Sequence, residues 1–125
     1  MRLPRSAKTV TLKLAMIENT LQEIESRLRS SESVPEERRA ELLKLLTTLK
    51  SEVAELSKTH GEEAQSIAGF TNLSAHEATR AEQNPELLSL SLKGLTSSVE
   101  GFESSHPQLV RIVNSISQTL SNLGI

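Results

Sequence analysis

The sequence predicts an all-α fold: two antiparallel helical hairpins forming a four-helix bundle, closed within one chain or completed by dimerisation. Three observations carry this. Apolar residues recur at alternating steps of three and four in four separate segments, which places them on one helical face. No segment alternates with period two long enough to make a half-buried strand. All 16 acidic residues are Glu and none is Asp, a choice that suits helix interiors because Asp competes for backbone hydrogen bonds.

The elements follow in order. Leu14, Ile17, Leu21, Ile24 and Leu28 predict a helix over 10–30. Ser33-Val34-Pro35-Glu36 reads as a capping box, with Ser33 accepting from the Glu36 amide. It opens a helix over 34–59 with Leu42, Leu46, Leu49, Val53 and Leu56 on its seam. Residues 60–84 contain Gly61 and Gly69 and no seam of large apolar residues, so they read as a linker. A short helix at 74–83 is expected there, opened by Ser74-Ala75-His76-Glu77. Asn84-Pro85 places an N-cap before a proline at the first helical position. Leu88, Leu92, Leu95, Val99 and Phe102 then predict a helix over 85–104, and Leu109, Val113, Ile116, Leu120 and Leu123 one over 106–123. Ser105 is expected to cap the last helix, Pro107 to fix the reversal, and Gly124 to end it. On the exposed faces, Glu23–Arg27 and Glu25–Arg29 have the i,i+4 spacing of helix ion pairs.

The domain reading is therefore a basic tail, 1–15, and a single helical domain, 16–125. The domain divides into a hairpin at 16–59, the linker 60–84 and a hairpin at 85–125. The tail carries Arg2, Arg5, Lys8 and Lys13 and no acid, and is expected to be disordered or to precede a native start at Met16. The rest holds 10 basic and 16 acidic residues, so a basic nucleic-acid face is not expected. With Phe70 and Phe102 as the only aromatics, the core must be aliphatic. The absence of Cys removes disulfides and thiolate chemistry and suits a reducing, cytoplasmic setting. No run of about 20 apolar residues occurs to span a bilayer. Weak contact with an anionic membrane surface through Arg2, Arg5, Lys8 and Lys13 is the alternative use of the tail.

Chemistry is sparse. His60, His76 and His106 have no metal-ligand spacing, so no metal and no cofactor are expected. Ser105-His106 lacks an Asp to orient the ring, and no Gly-rich phosphate loop occurs. The expected protein is not an enzyme and has no catalytic residues. Phe70 is the candidate anchor for the linker, against the bundle or against a partner. The expected function is a helical protein-interaction or structural module that pairs with itself or with another protein; the alternative is a peripheral membrane- or nucleoid-associated factor using the tail.

One segment supports a family resemblance. Val99-Glu100, Phe102-Glu103, Ser105-His106-Pro107, Leu109, Leu120 and the terminal Gly124-Ile125 resemble the C-terminal signature of the bacterial domain-of-unknown-function family numbered 4404. The resemblance covers about residues 16–125 and is specific over 99–125. It implies a small bacterial helical protein, with starts near Met16 and no established activity. The 60–84 segment and the N-terminal extension depart from the family pattern. Physically, Phe102, Glu103, Ser105, His106, Pro107, Leu109 and Gly124 read as a structural reversal. Phe102→Ala is expected to cost about 3 kcal/mol or more.

Overall fold

A computed structural model describes the backbone of residues 5–123 and the side chains of residues 12–123. Among them are five α-helices and no strand: α1 (Arg5–Ser30), α2 (Glu36–Ser57), α3 (Gly61–Thr79), α4 (Pro85–Ser98) and α5 (Pro107–Leu123). The all-α expectation holds, and the four seams are buried except at Leu14, Leu92, Phe102 and Leu123, which are half-buried. Leu21, Ile24, Leu46, Leu49, Val53, Leu95, Leu109 and Ile116 are each at most 1% exposed.

The main correction is α3, a 19-residue helix where a linker was expected. Its buried residues include Ala64, Ala68, Thr71, Ala75 and Ala78, which repeat the 4, 3, 4, 3 spacing of the other seams. The seam went unread because its side chains are small, and small side chains weaken the apolar signal while leaving the helix intact. That smallness has a packing consequence. Alanine lets a neighbouring helix approach to the short end of the usual 8–10 Å interaxial range. Accordingly α3 packs against α1, α2, α4 and α5, whereas among the described residues α1 touches neither α4 nor α5. The arrangement is four helices around a fifth, with a gap in the surrounding wall between α1 and α4.

The ends of the helices are set by specific bonds, several of them not those expected. No cap forms at Ser33: Pro35 occupies the N-cap position of α2, and the Ser33 hydroxyl meets Ser31 Oγ at 2.9 Å. Arg39 takes over, donating to the Leu28 carbonyl at 3.0 Å and to those of Ser31 and Val34. A cation from α2 thereby satisfies orphan carbonyls at the C-terminal end of α1. Glu77 opens no capping box, because it lies inside α3. Nearly buried, it accepts from Arg80 at 2.8 Å. Asn84 does cap α4, accepting from the amides of Glu86 and Leu87 at 3.1 Å each. The connection between α4 and α5 is longer than predicted, since α4 ends at Ser98 rather than near 104.

Surface pairs also differ. Glu25 reaches Lys50 of α2, and Arg27 donates to Asn72 of α3 at 3.3 Å, so both acts tie helices together rather than decorate α1. The basic stretch expected as a tail is helical backbone from Arg5 onward. Arg2, the side chains of Arg5 and Lys8, and Gly124 lie outside the described residues.

If α3 is the centre, its alanines are as sensitive as any core position. Ala68→Leu or Ala75→Leu, each at a site 1% exposed, is expected to destabilise the protein by about 1–3 kcal/mol through overpacking. Urea unfolding measures this; a linker helix would tolerate both substitutions.

Candidate interaction surface

The gap in the wall leaves one face of α3 uncovered. Glu62, Ser66, Gly69, Phe70, Leu73 and His76 form an exposed stripe at helical spacing, opposite the alanine seam. Among the described residues the exposed large apolar side chains are Leu12, Met16, Phe70, Leu73, Leu87 and Leu90. Every one belongs to α1, α3 or α4, the three helices around the gap, and none to α2 or α5.

Each flank is fixed to α3 by a contact. On α1, Leu12 and Met16 stand one above the other at i,i+4. The Met16 sulfur lies 3.8 Å from Gln65 Nε2, and Lys13 Nζ lies 4.0 Å from Glu62. On α4, Leu87, Leu90 and Gly94 share a face, and the Phe70 ring lies directly on Gly94. A Cβ built at Gly94 would sit 2.3 Å from that ring, far inside contact distance. Phe70 is thus both an anchor and a surface. One side of the ring holds α4 against α3, while 37% of the residue stays exposed. The expectation for Phe70 was an anchor against the bundle or against a partner; within the chain its ring contacts Gly94, and the segment that carries it is a helix.

The residues of the reversal come together elsewhere. Gly101 adopts φ 94°, a left-handed conformation suited to glycine, and the Glu103 carboxylate accepts its amide at 2.8 Å. The His106 amide donates to the Phe102 carbonyl at 2.8 Å, Pro107 begins α5, and Leu109 is fully buried behind it. Ser105 differs from its expected role, since its hydroxyl meets His106 Nδ1 at 3.0 Å instead of a helix amide. Sequence reasoning missed His60. Its ring packs edge-on against Phe102 with centroids 5.4 Å apart, His106 does the same at 5.6 Å, and the two histidine rings lie 6.4 Å from each other, so the three form a triangle. The α2–α3 turn and the α4–α5 turn are joined in this way. No sequence signal links residues 60 and 106, because their meeting depends on α3 being a helix. His76 stands at the other end of α3, about 24 Å away at 1.5 Å per residue. Among the described residues no three His, Cys, Asp or Glu side chains converge as metal ligands. Nor is any helix there long and apolar enough to cross a membrane.

A family model matches residues 46–125, which run from the middle of α2 through α3, α4, the Phe102 reversal and α5. This chain belongs to that family, described as Domain of unknown function (DUF4404). The match is narrower at the N-terminal side than the resemblance over 16–125 suggested, leaving out α1. It includes α3, so the segment thought to depart from the family lies within the matched region. No curated protein matches the chain, and no solved structure does.

Two substitutions test the site. Phe102 is only half-buried, with histidine rings as neighbours, so Phe102→Ala should cost about 2 kcal/mol rather than the 3 or more expected from sequence. Gly94→Ala should destabilise by about 1–3 kcal/mol despite alanine's better helix propensity, because of the ring above it. Phe70→Ala in the same chain should recover part of that loss, a coupling visible in a double-mutant unfolding cycle.

Proposed function

We propose that this protein is a non-enzymatic helical interaction module of the cytoplasm that receives a partner helix on the open face of α3. The observation that carries the reading is the confinement of the exposed Leu, Met and Phe side chains to the rim and floor of one gap. Contiguous apolar surface rimmed by polar residues marks association sites, whereas singly scattered apolar residues do not. The gap also has the dimensions of the missing element. It runs alongside a 19-residue helix, about 28 Å long, and is bounded by two further helices whose side chains supply its walls. A helix laid there would complete the ring around α3, the helix-in-groove mode of recognition.

Two further observations support a role without chemistry. The three histidines are divided between opposite ends of α3, and the two that meet do so on a Phe ring, with each Nδ1 against a neighbouring hydroxyl. The membrane-surface alternative is weaker, because Lys13 lies 4.0 Å from Glu62 and the helices that flank and floor the gap also expose Glu23 and Glu63.

Photo-reactive residues placed singly at Leu73 and Leu90 should form covalent adducts with protein in cells. The same probe at Ser51 on α2 or Gln118 on α5 should give few. Equal labelling at all four positions would contradict the docking face.

A further inference from the structure

We infer that the occupant of this face is a second copy of the chain, related by a two-fold axis passing close to Gly69; the inference rests on the docking face proposed above. Three observations point to it. The first is Gly69 itself. It lies in the middle of α3, where glycine destabilises a helix relative to alanine. Gly94 is required by the Phe70 ring and Gly101 by its positive φ, but Gly69 has neither reason. Its φ is not positive, and a Cβ built there meets nothing within 4 Å. Among the described residues of one copy, nothing calls for a glycine at this point. What a bare backbone on an exposed face permits is the close crossing of another helix, and Ser66, one turn earlier on the same face, keeps the crossing point small.

The second is the layout of the apolar residues about that point. Met16 lies level with Gln65, one turn before Gly69, and Leu12 lies a turn further. Leu90 lies one turn from Gly94, beyond Phe70, and Leu87 a turn further again. The stripe therefore crosses α3 obliquely, with two aliphatic side chains at each end and Gly69 near its middle. A two-fold axis there maps the stripe onto itself reversed, so that Leu12 and Met16 of one copy meet Leu87 and Leu90 of the other. This is the self-matching that an isologous interface needs.

The third is charge: at the α1 end Lys13 makes only a loose 4.0 Å pair with the well-exposed Glu62. The α4 end exposes Glu82 and Glu86 beside the single cation Lys93 of α4, and Arg80 is committed to Glu77. Reversal of one copy on the other brings Lys13, loosely held in its own chain, toward Glu82 and Glu86 of its mate.

The test uses the full chain in solution. Sedimentation equilibrium at about 100 µM, a concentration that populates pairs of micromolar affinity, should give twice the 13.7 kDa chain mass. Gly69→Ala should raise the thermal stability of the dilute single chain yet weaken the dimer by about tenfold. The absence of native Cys makes cysteine trapping free of background. Ser66→Cys should oxidise to a linked dimer, because a residue near the axis meets its own mate. Leu12→Cys alone should not link, but an equal mixture with Leu87→Cys should. A chain that stays at 13.7 kDa overturns the inference, as does a dimer whose mass survives Leu90→Glu. If the chain is monomeric while Leu73 and Leu90 probes still label other proteins in cells, only the second-copy inference fails. If neither dimer nor adduct forms, the docking reading fails with it.

Discussion

The constraint on which the rest of the structure depends is the thinness of α3. Four helices cannot all pack on a fifth of ordinary leucine-rich girth without leaving voids between one another. The Ala64, Ala68, Thr71, Ala75 and Ala78 seam removes that girth, and the leucines of α2, α4 and α5 supply the volume it lacks. Because α3 is the shared partner, its position decides where the other elements end. It brings the α2–α3 turn beside the Phe102 reversal, and it leaves α1 and α4 on either side of an uncovered strip.

The energetic weight is not spread evenly. The aliphatic seams and α3 form one contiguous core, and burial of that apolar surface is the principal favourable term. The polar contacts mainly specify geometry. Arg39 finishes α1, Asn84 starts α4, and Gln83 joins the C-terminal ends of α3 and α5 by donating to the carbonyls of Ala78 and Leu123. Phe70 belongs to both groups, since the contact that seats α4 also leaves an aromatic edge on the open strip. The candidate site is thus a by-product of core packing, with its floor made by the same helix that organises the centre.

How much of this was legible follows from side-chain size and sequence distance. The four leucine-rich seams announce themselves, because large apolar residues at steps of three and four have no other economical reading. Asn84-Pro85 likewise declares a helix start from local chemistry alone. The α3 seam has the same spacing but is written in Ala and Thr, and its two glycines look like linker residues until Phe70 and the open strip are in view. Ser33 and Ser74 had the right residue types for capping boxes, yet tertiary bonds from Arg39 and the continuation of α3 took precedence. The interaction surface was legible only at Phe70. Leu73, Leu87 and Leu90 have ordinary core spacing, and their exposure depends on a gap between α1 and α4 that no local pattern encodes.

Native-state hydrogen exchange, resolved by residue, tests the central role of α3 most directly. Amides of Ile67, Ala68, Thr71 and Ala75 should exchange as slowly as those of Leu46 and Leu49 in α2, with opening free energies close to that of global unfolding. Protection of α2 and α5 alongside fast exchange throughout 61–79 would show a bundle that holds together without its central helix, and would contradict the account.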